Sequence, residues 1–185
     1  MISGLKQSSV KAVVLVGLMG SGKSSVGAKV ARSIGAQFVD TDDLIAQRTG
    51  RSVRDIFAQD GEAAFRDAEV SALTEAFSSA LLGNDIVIST GGGIVLSPIN
   101  RKEIKEKASC VVWLDAPVED LLRRTDNVSK RPLLDGDALG ALTKMAKDRF
   151  DLYEEVATIR IDTKKLSVAD VVLRVTTAIT TEVKS

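Results

Sequence analysis

An α/β architecture, with a mostly parallel sheet between two layers of helices, follows from three features of this 185-residue chain. Five short β-rich runs alternate with helical patterns along its length, as in strands joined by helical crossovers. Three of those runs are nearly continuous apolar stretches, which suits strands covered on both faces. The first of them leads into Gly17-Leu18-Met19-Gly20-Ser21-Gly22-Lys23-Ser24, a G-x-x-x-x-G-K-S phosphate-binding loop, whose chemistry depends on lying between a strand and a helix.

The expected strands are Ala12–Val16, Gln37–Asp40, Ile86–Ser89, Cys110–Leu114 and Thr158–Ile161. Helical patterns occupy residues 22–35, 41–49, 52–58, 61–82, 98–107, 117–125, 138–155 and 167–182. No repeat, low-complexity tract or linker divides the chain, so residues 1–185 read as one domain. Residues 126–137 break the rhythm with Pro132, Gly136 and no clean periodicity. They fit a mobile lid over a nucleotide, spanning about 124–140, or a solvated surface loop.

Lys+Arg and Asp+Glu both number 25, so no global basic field is available for nucleic acid or a membrane surface. One Trp and one Tyr offer little for base stacking. No apolar stretch approaches the roughly 20 residues that span a bilayer. The absence of histidine removes His-ligated metals and a histidine base, leaving carboxylate, lysine, tyrosine or water. Cys110 is the single cysteine and lies in an apolar run, so it reads as a core residue. The expected setting is the cytoplasm.

In the phosphate loop, glycines let the backbone wrap a polyphosphate, and the helix N-terminus points N–H groups at negative oxygens. Gly20, Ser21, Gly22, Lys23, Ser24 and Ser25 would hold ATP, with Lys23 reaching the β- and γ-phosphates and Ser24 holding Mg²⁺. Ligands of open α/β sheets bind at the carboxyl ends of strands. After the second strand comes Asp40-Thr41-Asp42-Asp43. Read as extended chain, it points Asp40 and Asp42 to one side, where one carboxylate orients water on Mg²⁺ and the other takes a proton from a substrate hydroxyl. Taken alone, the stretch also suits capping of the following helix by Asp42, but its place one strand from the phosphate loop favours the site role.

After the third strand, Gly91, Gly92 and Gly93 make sense where backbone lies close against a ligand and presents N–H groups, or as a flexible turn. In the helix from Gly61, residues 66, 69, 70, 73 and 77 share a face, so Arg66 and Glu69 extend an apolar stripe. Buried charges there must pair. Glu69 either fixes the Arg66 guanidinium to grip an anion or forms a structural ion pair. Phe57 and Phe65 read as core, with a pocket wall as the alternative. Basic residues cluster at Arg123, Arg124, Lys130 and Arg131 and again at Lys144, Lys147 and Arg149. Arg131 stands out beside Pro132, and Arg149 before an aromatic-containing turn; the planar fork of arginine suits phosphate and carboxylate.

Taken together, these motifs resemble the shikimate kinase family. They are Gly17–Ser24, Phe38-Val-Asp40-Thr-Asp42, Gly61-Glu62-Ala-Ala-Phe65-Arg66 with Glu69, Gly91-Gly-Gly93, Arg131-Pro-Leu-Leu134 and Arg149-x-x-x-Tyr153-x-x-Val-Ala157, covering about Ala12 to Ala157. The resemblance implies a nucleoside-monophosphate-kinase-like, three-layer P-loop kinase fold with a five-stranded parallel sheet in the order 2-3-1-4-5. It implies ATP-dependent phosphorylation of the 3-hydroxyl of shikimate, with helices over about 41–82 holding the acceptor; the expected state is a monomer. By motif position, Arg66 and Arg149 would hold the shikimate carboxylate. Asp42 would contact the reacting hydroxyl as candidate base, and Gly91–Gly93 would line the ring. Ser24 would ligate Mg²⁺ with Asp40 acting through water. Lys23 and Arg131 would serve the transferring phosphate, and Arg124 would lie over the adenine. Two positions depart from the family pattern. The loop Asp162 to Ser167 is short and lacks a proline, and Ala46 stands where a second acidic residue is usual. A gluconate kinase, and a catalytically silent kinase-like binding protein, are the alternatives.

Overall fold

The computed structural model describes residues 12–81, 83–125 and 137–182. The lid core at 126–136, with Lys130, Arg131 and Pro132, lies outside the described residues. In order, the elements are β1 (Ala12–Val16), α1 (Lys23–Ile34), β2 (Gln37–Asp40), α2 (Thr41–Thr49), α3 (Val53–Leu81), β3 (Ile86–Ser89), α4 (Pro98–Lys107), β4 (Cys110–Asp115), α5 (Val118–Thr125), α6 (Ala138–Val156), β5 (Ile159–Asp162) and α7 (Val168–Glu182).

The five strands form one sheet in the order β2-β3-β1-β4-β5, every neighbouring pair parallel. Side chains alternate across a strand, and β1 shows the result. Val13 and Leu15 enter a core with Val26 and Val30 of α1 and Val171 and Val175 of α7. Val14 and Val16 enter a second core with Leu73 and Phe77 of α3, Ile104 of α4 and Tyr153 of α6. Burial on both faces is why β1 and β3 read as nearly continuous apolar runs. Cys110 is wholly buried, as expected of a core residue.

Two strands end one residue beyond the sequence reading. β4 runs on to Asp115, and β5 spans Ile159–Asp162. Apolar runs stop at Leu114 and Ile161, whereas the parallel pairing continues through Asp115 and Asp162. The helical stretches expected on either side of Gly61 form the single element α3, interrupted at Gly61 by non-helical angles (φ 84°, ψ 176°). A small core of Ile45, Ile56, Phe65 and Ala72 seats α2 against both halves of α3. That outlying layer carries one wall of the site.

Candidate functional site

The loop after β1 and the glycine turn after β3 open onto a shared cavity of about 960 Å³. Gly20 and Gly22 take left-handed φ values of 81° and 95°, which glycine alone adopts without strain. Gly22 is also the N-cap of α1 and supplies no side-chain acceptor. The first-turn N–H groups and the positive end of the helix dipole are therefore left for an anion. Lys23 is buried beside them, its Nζ donating to the carbonyls of Gly17 at 2.8 Å and Leu18 at 2.9 Å.

Asp40 ends β2 and begins α2 without an intervening loop. Its Oδ1 accepts from the Asp42 N–H at 3.0 Å, capping the helix, and its Oδ2 accepts from Ser24 Oγ at 2.7 Å. This corrects the extended reading of the acidic stretch. Asp40 is the cap, and Asp42 sits in the first turn of α2. Both still line the cavity. Asp42 Oδ1 is buried with no hydrogen-bond partner among the described residues. Burial, with Asp40 and Glu69 adding like charge, pushes its carboxyl up to about 6 against the pull of Lys23.

Arg66 is held from two sides. Nη1 donates to Glu69 Oε2 at 2.5 Å, while Nε and Nη2 donate to Glu62 Oε1 at 3.2 and 2.8 Å. Three of the five N–H groups of a guanidinium are thus committed, and two remain for a ligand. Glu69 is fully buried. Burial raises its carboxyl pKa despite Arg66, and its Oε1 has no partner among the described residues. Phe65 packs into the core beneath, 4.7 Å from the Phe57 ring, and both rings also line the cavity.

The glycine turn also has a rationale inside the protein. None of Gly91, Gly92 and Gly93 adopts a left-handed φ, and the N–H of Gly91 is already taken by Thr41 Oγ1 at 3.1 Å. What the turn needs is room. A Cβ on Gly91 would lie 2.6 Å from Glu69 Oε1 and 3.0 Å from Asp42 Oδ1, and one on Gly92 would lie 3.0 Å from the Met19 nitrogen. A Cβ on Gly93 would overlap the Arg66 guanidinium. The three positions thus accommodate the two carboxylates, the phosphate loop and the arginine in turn.

From α6, buried Arg149 reaches into the cavity and donates through Nη1 to the Gly92 carbonyl at 3.0 Å. Arg124, on α5, reaches the Gly20 carbonyl at 3.4 Å. Among the described residues, two other basic residues of those clusters are engaged away from the cavity. Arg123 pairs with Asp120, and Lys144 pairs with Asp148, both on exposed helix faces. The cavity thus joins a helix N-terminus open to an anion to a recess with two raised carboxyls, Asp42 and Glu69, and two arginines, an arrangement suited to phosphoryl transfer onto the hydroxyl of a small anionic acceptor.

The family model described as shikimate kinase matches residues 19–180. The chain belongs to the shikimate kinase family. A shikimate kinase of Symbiobacterium thermophilum is 44% identical over 166 residues, covering 88% of this chain and 92% of the relative. A solved structure titled shikimate kinase from Acinetobacter baumannii in complex with shikimate superposes with a TM-score of 0.86 at 35% identity, over 92% of this chain and 93% of that one. A gluconokinase from Sinorhizobium meliloti shares the fold at a TM-score of 0.61 and 20% identity, over 94% of this chain and 93% of that one.

All the site residues of this kinase expected from sequence and lying within the described residues line the cavity. They are Gly20 to Ser25, Asp40, Asp42, Arg66, Gly91 to Gly93, Arg124 and Arg149. Arg131 lies outside the described residues. Sequence reasoning missed Thr41, whose buried hydroxyl anchors the glycine turn, and Val53 and Arg54, which line the cavity from the first turn of α3. It also missed what fills the proline-free loop. Thr163 anchors that loop through N and Oγ1 to the Asp115 carbonyl, and Leu166 and Val168 line the cavity. Leu166 is the apolar residue of that loop, the signal available in the sequence.

Proposed function

We propose that this kinase transfers the γ-phosphoryl group of ATP to the 3-hydroxyl of shikimate. The observation that carries the reading is the continuity of one cavity from the Lys23 loop to the buried Asp42 carboxylate and the Arg66 and Arg149 guanidiniums. ATP lies with its phosphates on the loop, against Lys23 and the N-terminus of α1, and its base between Arg124 and the Leu166–Val168 side. The acceptor carboxylate takes the remaining N–H groups of Arg66 and a donor of Arg149, while Phe57 and Phe65 face its ring. Those contacts set the 3-hydroxyl beside Asp42. The raised carboxyl pKa of Asp42 lets it accept a proton near neutral pH as the oxygen attacks phosphorus and the ADP oxygen departs. Arg131 is assigned to the transferring phosphate.

The residues also fit Mg²⁺. Ser24 Oγ and Asp40 Oδ2 lie 2.7 Å apart at the cavity wall, a hard-oxygen pair of the kind that completes a magnesium shell together with substrate phosphates and water. When bound there, the ion would neutralise charge on the β- and γ-phosphates. Ser24 would supply the direct ligand, and Asp40 would orient a water.

A coupled ADP-release assay across an acceptor panel tests the reading. Turnover on shikimate and none on gluconate is expected. Turnover on gluconate without shikimate overturns the acceptor assignment, and hydrolysis-level rates on every acceptor favour a silent binding protein.

A further inference from the structure

Tyr153 is the only tyrosine of the chain and is almost wholly buried. A buried phenol needs a partner, and this one donates to the Gly92 carbonyl at 2.6 Å, across 61 residues of sequence. Its ring stacks on Trp113 of β4 with centroids 5.5 Å apart and planes at 28°. The hydroxyl is therefore rooted in the central sheet. Arg149, one helical turn earlier on α6, donates to the same carbonyl at 3.0 Å. A carbonyl oxygen has two lone pairs, and α6 fills both.

The Gly92 peptide is the meeting point of the site. On its other side the turn packs so tightly on the phosphate loop that a Cβ would lie 3.0 Å from the Met19 nitrogen. A carboxylate ligand draws on the Arg149 guanidinium, which then holds Gly92 less firmly. The phenol also lies against Arg149, but its single O–H is committed to Gly92. Burial also raises its pKa, so it stays a proton donor across the working range.

We infer that Tyr153 is a positioning residue. Its hydroxyl pins the Gly92 peptide against the phosphate loop and so fixes the distance between the acceptor-binding arginines and the transferring phosphate. The kinetic part of this inference rests on the acceptor assignment proposed above; the structural part does not.

The test is Tyr153→Phe, which keeps the ring and its stacking and removes one O–H. Amide hydrogen exchange of the unliganded protein reads the pin directly. Exchange in residues 90–96 should rise at least about tenfold, the effect of one lost buried hydrogen bond, while β1 and β4 stay protected. In steady-state assays alongside wild type, kcat should fall or the shikimate KM rise by about tenfold, with the ATP KM within twofold. Combined with Arg149→Ala, the two losses should be non-additive, because both act on one carbonyl. Unchanged exchange in residues 90–96 overturns the inference whatever the acceptor proves to be. So does a uniform rise in exchange with both KM values shifted alike, the mark of general loosening. Absence of turnover in wild type and variant alike, with the exchange effect present, would instead count against the acceptor assignment and leave the pin standing.

Discussion

Asp42 and Glu69 bring oxygens without a partner among the described residues to the same glycine: both Asp42 Oδ1 and Glu69 Oε1 crowd the position that a Gly91 side chain would occupy. Two carboxylates so close and so buried resist ionising together, and the Asp42 carboxyl is pushed up to about 6, by burial first and by Asp40 and Glu69 next. The folded protein therefore binds a proton at Asp42 more readily than the unfolded chain does. Stability from this group is highest below the unfolded value near 4 and declines as pH rises through 6. Above that, the charged carboxylate costs on the order of 3 kcal/mol. Asp42→Asn should consequently melt above wild type at pH 8, with the gap narrowing at pH 5. Thermal melts at the two pH values measure it, and a gap that does not shrink would contradict the burial of the charge.

The same substitution should lower kcat by roughly 10²–10⁴ if the carboxylate takes the hydroxyl proton. An unchanged kcat in a single-turnover assay would reduce Asp42 to an orienting group.

Lys23 holds two loop carbonyls from a buried position and would meet the β- and γ-phosphates when ATP enters. Lys23→Ala should lower transfer by at least about 10²-fold, the scale set by removing one donor to developing charge, with the circular dichroism spectrum preserved. Near-normal turnover would take the loop lysine out of the mechanism.

Arg66 serves Glu62 and Glu69 at once, which an ammonium on a flexible stem does not reproduce together with a ligand grip. Arg66→Lys should raise the shikimate KM about 10- to 100-fold, equivalent to one charge-assisted hydrogen bond of about 1.5–3 kcal/mol, and the ATP KM much less. Titration calorimetry with each substrate separates the two, and equal losses would argue that Arg66 does not bind the acceptor.

Gly91→Ala puts a methyl group 2.6 Å from Glu69 Oε1. Overpacking of this kind costs about 1–3 kcal/mol, and here it falls on the two carboxylates. A drop in kcat of more than about tenfold, together with a lowered melting temperature, is expected. Wild-type kinetics in this variant would show that the turn has slack.

Much of this was legible in the chain because the signals are local. The strand–loop–helix context of Lys23, the continuous apolar run of β1 and the arginine–glutamate spacing of α3 each depend on near neighbours. What escaped depends on distant partners. The Thr41 anchor spans 50 residues, the Arg149 bond 57 and the Tyr153 bond 61, and no window of sequence contains both ends. The extended reading of the Asp40–Asp42 stretch, set against a helical pattern from 41 that α2 bears out, has a local cause. An Asp-x-Asp stretch after a strand is compatible both with continued extension and with a capped helix, and the cap at Asp40 decides it.

The tight packing of the glycine turn limits how this scaffold can be adapted to new acceptors. A stretch already filled by its neighbours' carboxylates, backbone and guanidinium gives an engineer no vacancy to exploit at residues 91–93. The adjustable surface is the opposite wall, where Val53, Arg54 and Phe57 border the cavity. Selectivity should evolve there first, while the turn stays fixed.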